Sequence, residues 1–90
     1  MKSFNTIYIG RKPVMAYCLA VMTAFKGDDT VTLMARGRAI SKAVDVAEVV
    51  RNQFMPDLVI KDISIGTEQL DKEEGGQRNI SNITIAMSKK

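Results

Sequence analysis

Ninety residues support one small hydrophobic core and exclude a multidomain enzyme. With 46% hydrophobic and 26% charged residues the chain is too apolar for a disordered tail, and no apolar run approaches the ~18–20 residues of a membrane span. Thirteen Lys and Arg against ten Asp and Glu give a net charge of only +3, but the excess is local: residues 1–51 carry eight basic and four acidic side chains, residues 52–90 five and six.

Phe4 to Ile9, rich in β-branched and aromatic residues and stopped by Gly10, predicts a first strand. Pro13 suits the first turn of a helix, and Val14, Tyr17, Cys18, Val21, Met22 and Phe25 then recur at steps of three and four. That stripe predicts a helix ending near Lys26 and Gly27. After the polar turn at Asp28 and Asp29, Thr30 to Ala35 reads as a second strand. From about Ala39 a second helix runs to Phe54, closed by Met55 and Pro56. Its apolar arc is wider than one core face requires, because Val46, Val49 and Val50 broaden the side formed by Ile40, Ala43, Val44, Ala47 and Phe54. Two readings follow: a deeply buried helix, or a helix that touches its own sheet and a second subunit.

Leu58 to Ile65 predicts a third strand, with Val59, Ile63 and Ile65 on one face and Leu58 and Ile60 on the other. Asn79 to Met87 predicts a fourth, with Ile83, Ile85 and Met87 on the apolar face. The polar stretch Thr67 to Arg78 carries Gly75-Gly76 and joins them as a hairpin, into which the strands extend as a protruding arm. Ser88-Lys89-Lys90 reads as a loose end. The predicted order is β-α-β-α-β-β over a single domain spanning residues 1–90. The right-handed crossover rule places both helices on one face of a mixed four-stranded sheet, an α/β two-layer sandwich with the third and fourth strands protruding. A chain this small buries about 60% of its unfolded surface, so a self-partner is expected.

Chemistry is constrained by what is absent. There is no histidine, so no His-based triad or imidazole general base exists, and a zinc site would need an unusual ligand set. Cys18 lies on the apolar stripe of the first helix and reads as packing. The carboxylates Glu68, Asp71, Glu73 and Glu74 cluster in the hairpin as a solvated surface, not a fixed catalytic pair. No cofactor and no catalytic residue is expected, and Ser41 reads as part of a helix start. An enzyme built on the hairpin carboxylates is the weakest reading.

Two turns stand out instead. Gly10-Arg11-Lys12-Pro13 sets two cations where a strand enters a helix, a place whose free N–H groups already attract anions. Arg36-Gly37-Arg38-Ala39-Ile40-Ser41-Lys42 repeats the arrangement with three cations and no acid. Both follow strands, so in parallel β-α units they should be neighbours in space. Neither is a nucleotide fingerprint, since the Gly-x-Gly-x-x-Gly series and the Walker lysine are missing. Phosphate contact is the predicted role, with little base reading because no aromatic series marks a stacking platform.

Ile9-Gly10-Arg11-Lys12-Pro13-Val14-Met15, together with Ala35-Arg36-Gly37-Arg38-Ala39-Ile40-Ser41-Lys42-Ala43-Val44-Asp45 and Glu48 to Pro56, resembles the Alba family of archaeal chromatin proteins, over essentially the whole chain. The resemblance implies a homodimer that binds double-stranded DNA, and also RNA, without sequence preference, at the chromosome and in the cytoplasm. It implies phosphate contacts for Arg11, Lys12, Arg36, Arg38 and Lys42, a hairpin along the minor groove with Arg78 on it, and dimer-dimer contact through Phe54. An RNA-binding protein, or a subunit of an RNA-protein particle, is the alternative. Three features depart from the family pattern. Arg11 stands where an acetylated lysine is common, leaving Lys12 as the lysine open to acetylation; Gln53 replaces a second basic residue beside the aromatic; and the hairpin is acidic, which weakens its hold on a polyanion.

Overall fold

A computed structural model describes residues 5–89; Phe4 of the predicted first strand and Lys90 lie outside them. The elements are β1 (Thr6–Tyr8), α1 (Val14–Ala24), β2 (Thr30–Arg36), α2 (Ala39–Val49), a π-helical turn (Val50–Phe54), β3 (Leu58–Asp71) and β4 (Gln77–Lys89). They form one mixed sheet in the order β1-β2-β4-β3, with β1 parallel to β2 and the other pairs antiparallel. The predicted β-α-β-α-β-β sandwich with its extended hairpin is therefore the observed architecture. No helix among the described residues is long and apolar enough to cross a membrane.

The core lies between one face of the sheet and both helices. Val31, Leu33 and Ala35 of β2 alternate inward beside Ile83, Ile85 and Met87 of β4, and all six are buried. Tyr17, Cys18, Val21 and Phe25 supply the α1 stripe, and Ala43, Val46, Ala47 and Val50 that of the second helix. Burial pushes the Cys18 thiol pKa up, as packing requires. The second helix ends where expected, but its last turn widens: Met55 N–H donates to Val50 O across five residues, at 2.7 Å. Pro56 holds Met55 away from helical backbone (φ −134°, ψ 77°) and so stops the helix there.

Two expectations are corrected, and the arm is given its bounds. β4 continues through Ser88 and Lys89, which pair with β3, and Lys89 N–H donates to Asp29 O; the supposed loose end is strand up to the last described residue. The strands extend into the polar stretch as expected, Glu68 and Asp71 belonging to β3, and residues 72–76 form the connecting loop. The register of β3 shifts between Ile60 and Asp62. Lys61 is an extra residue in that strand, and past it the alternation is inverted. Ile63 and Ile65 stand opposite Ile85 and Ile83 on the helix-side face, the same face as Ile60, and not opposite to it as strict alternation requires. The helices do not reach them: Ile63 is 57% and Ile65 82% exposed.

Candidate nucleic-acid interface

Both basic turns sit at the carboxyl ends of adjacent parallel strands, and the chain cross-ties them. In the first, Ile9 N–H donates to Met34 O of β2, after which the backbone lifts away from the sheet. Gly10 and Lys12 N–H both donate to the Tyr17 hydroxyl, at 2.8 and 3.1 Å. From the other side the Lys42 ammonium donates to Gly10 O at 3.0 Å and Lys12 O at 2.8 Å. The carbonyls and amides of one turn are thus held by one side chain from each helix, with Arg11 and Lys12 left exposed. Burial acts to raise the Tyr17 phenol pKa, but the N–H groups of Lys12 and Gly10 and the charges of Lys42 and Lys12 outweigh it and hold it below the ordinary tyrosine value.

The second turn depends on Gly37. Its φ of +59° is left-handed, its N–H donates to Ser81 O at 2.8 Å, and a Cβ there would stand 3.0 Å from Ile80 Cδ1. Arg38 follows, exposed, and α2 begins without a side-chain cap. α1 likewise has none; Ala16 N–H turns back to Pro13 O and Ile40 N–H to Gly37 O, and the amides ahead of these two have no side-chain cap. Ser41 is exposed on α2.

Arg36 is differently placed. Its guanidinium donates to Glu68 Oε1 at 2.9 Å, while the other Glu68 oxygen accepts from Asn82 Nδ2 at 2.9 Å. The Asn82 hydrogen bond, opposed by burial and helped by the Arg36 charge, holds the Glu68 carboxyl below the usual carboxylate range. An acid from the arm therefore offsets one of the cations assigned to phosphate.

The structure brings Arg11, Lys12 and Lys42 together and sets Arg36 and Arg38 on the adjoining turn. Arg78 is elsewhere. It lies on the arm four residues along β4 from Asn82, the partner of Arg36, or about 13 Å at strand spacing. There it borders a shallow cleft beside Asp71, Lys72, Glu73 and Glu74. Phe54, at the end of the π-helical turn, is 43% exposed. Two contributors escaped the sequence reading, which assigned Tyr17 to the core and Glu68 to a solvated loop. A hydroxyl on an otherwise apolar stripe was the available signal for Tyr17; for Glu68 there was none short of the strand register.

Residues 5–67 match the family model described as Alba. The chain is 55% identical over 87 residues to the DNA/RNA-binding protein Alba 1 of Archaeoglobus fulgidus, covering 96% of this chain and 97% of that protein. It is 51% identical to the DNA/RNA-binding protein Alba of Methanothrix thermoacetophila, covering 99% and 100%. Among solved structures, Alba from Thermoplasma volcanium superposes with a TM-score of 0.88 at 45% identity, covering 94% of this chain and all of that one. An Alba protein of Trypanosoma brucei shares the fold at 22% identity, with a TM-score of 0.78 over 99% of this chain and 72% of that one. On a family model and two near-full-length relatives above half identity, this chain belongs to the Alba family, which is non-enzymatic.

Proposed function

We propose that this protein binds DNA and RNA as a homodimer, through paired basic turns that contact phosphates without reading sequence, and that it coats chromosomal DNA. One observation carries the reading: the Lys42 ammonium bridges the backbone of the first turn, setting Arg11, Lys12 and Lys42 beside Arg38 and Arg36 on one rigid edge. A fixed backbone matters here because the side chains it carries start from set positions and lose less freedom on meeting a phosphate.

Support for a dimer comes from the uncovered helix-side strip of β3. Ile63 and Ile65 lie bare, and Val44 on α2 is 42% exposed. Lys42 marks the flank of α2 that meets the first turn; at 100° per residue Val44 falls on the other flank, away from α1. A second copy covering this strip would double the basic edge. Arg78 then extends the contact along the minor groove, and Phe54 links neighbouring dimers; Phe54→Ala is expected to lower cooperative coating while leaving the dimer intact by sedimentation, and unaltered cooperativity removes Phe54 from that role.

The direct test is salt dependence. If about six phosphates are neutralised per dimer, log affinity falls against log salt with a slope near −5 on unrelated duplexes. A slope near zero, or strong preference for one short sequence, overturns the mechanism. Competition between DNA and RNA duplexes of equal length at matched salt ranks the two polymers.

A further inference from the structure

We propose that the cleft beside Tyr8 is a binding site for a single unpaired nucleobase, an inference that rests on the nucleic-acid reading above. The cleft, about 370 Å³, opens at the carboxyl ends of β1 and β2 and is lined by Tyr8, Met34, Arg36, Glu68 and Asn82. That is within the ~300–1,000 Å³ of ordinary small-molecule clefts. Tyr8 lies on the sheet face that the helices leave open, opposite Met34, and is 71% exposed. An exposed aromatic beside an apolar thioether offers a stacking surface, and the core has no use for it.

Across the cleft stands a polar wall already fixed by its own bonds. Glu68 is held by Arg36 and Asn82, and Asn82, having spent an amide hydrogen on Glu68, keeps its Oδ1 as a free acceptor. Gly66 leaves room for it, since a Cβ there would stand 3.0 Å from that oxygen and push it aside. The acceptors the wall leaves open are Asn82 Oδ1 and the remaining lone pairs of the Glu68 carboxylate, and they suit a base edge rich in donors. Guanine, with adjacent N1–H and N2–H donors, fits; uracil, with one donor between two acceptors, does not. Arg36 gives one nitrogen to Glu68 and keeps donors for the nucleotide's phosphate. Tyr8 is two residues before Gly10 and Arg36 adjoins Gly37, so a strand lying on the basic turns passes the mouth of the cleft.

The experiment compares an RNA hairpin carrying one bulged nucleotide with the same hairpin fully paired, by fluorescence anisotropy at matched salt. The wild-type protein is expected to bind the bulged guanine at least about fivefold more tightly than the paired hairpin, the lower end of what stacking on an aromatic supplies per base. A bulged uracil should gain less. Tyr8→Ala is expected to erase the advantage while changing paired-hairpin affinity by no more than about twofold, as an exposed substitution should; Tyr8→Phe should keep most of it. A DNA hairpin with the same bulge identifies the source. An equal advantage there means the base alone is recognised, and an RNA-only advantage means the ribose contributes; both support the cleft. An advantage that survives Tyr8→Ala, or an equal loss on bulged and paired hairpins, overturns the assignment while leaving phosphate binding standing. Failure of the wild-type protein to bind either hairpin overturns the nucleic-acid reading itself.

Discussion

The turn between β1 and α1 is held by four hydrogen bonds from Tyr17 and Lys42, whereas the tip of the arm closes on itself through Lys72 N–H to Gly76 O and Gly75 N–H to Lys72 O. The turn carries Arg11 and Lys12 without an acid; the arm sets Asp71, Glu73 and Glu74 against Lys72 and Arg78. Cations are thus concentrated where side chains of both helices tie the backbone and diluted where the chain bonds only to its own hairpin. Fixed charges bind a polyanion with little further ordering, while an arm of net negative charge is not drawn strongly to one.

Breaking the rigid side should have the largest effect. Arg36→Ala combined with Arg38→Ala should remove up to four of the phosphate contacts proposed for a dimer, and the salt slope should become shallower by up to about 4, with affinity lost equally on unrelated duplexes. Unchanged affinity in a gel-shift assay would take both residues out of the interface.

Next in size is the scaffold. Tyr17→Phe leaves Gly10 and Lys12 N–H without their acceptor, and should lower Tm by roughly 4 °C or more. Because the native phenol titrates below the ordinary tyrosine value, its contribution should grow as pH rises through the native pKa and be complete above about 10. A gap between wild type and Tyr17→Phe that stays constant from neutral to alkaline pH would contradict this.

The smallest effect runs the other way. Glu68→Gln releases Arg36 from an exposed pair, and duplex affinity should rise by about two- to threefold at low salt, converging with the wild type as salt increases. In acid, the stabilisation Glu68 gains from its lowered pKa is present above the ordinary carboxylate value near 4.5 and lost as pH falls below it, so thermal denaturation of the variant should be flatter over that range. A variant that binds duplex more weakly would mean that Glu68 orders Arg36 for binding.

Local pattern was enough for the element order, the α1 stripe and the two basic turns, because strand alternation, helical period and Pro or Gly punctuation are properties of neighbouring residues. Other features depend on distant ones. Glu68 reaches Arg36 only because β4 lies between β2 and β3 in a particular register, which brings residues 32 apart within 2.9 Å. How far the strands run into the arm was not legible, because its polar residues lack the alternation of a half-buried strand; backbone pairing carries Thr67–Asp71 and residues 77–79, with Glu68 also tied to Arg36 and Asn82. The acceptor role of Tyr17 was hidden for a related reason: its ring packs like that of any core aromatic, and only the oxygen differs.

The bulge at Lys61 has a geometric consequence. Leu58 and Ile60 precede it and line the core; Ile63 and Ile65 follow it and emerge on the same face beyond the helices. In a strand of strict alternation these two isoleucines would turn to the open face, beside Tyr8 and the polar wall. One inserted residue thus acts as a parity switch. It keeps the apolar strip, proposed above as the surface for a second copy, on one side of the sheet and leaves the cleft proposed for a nucleobase on the other.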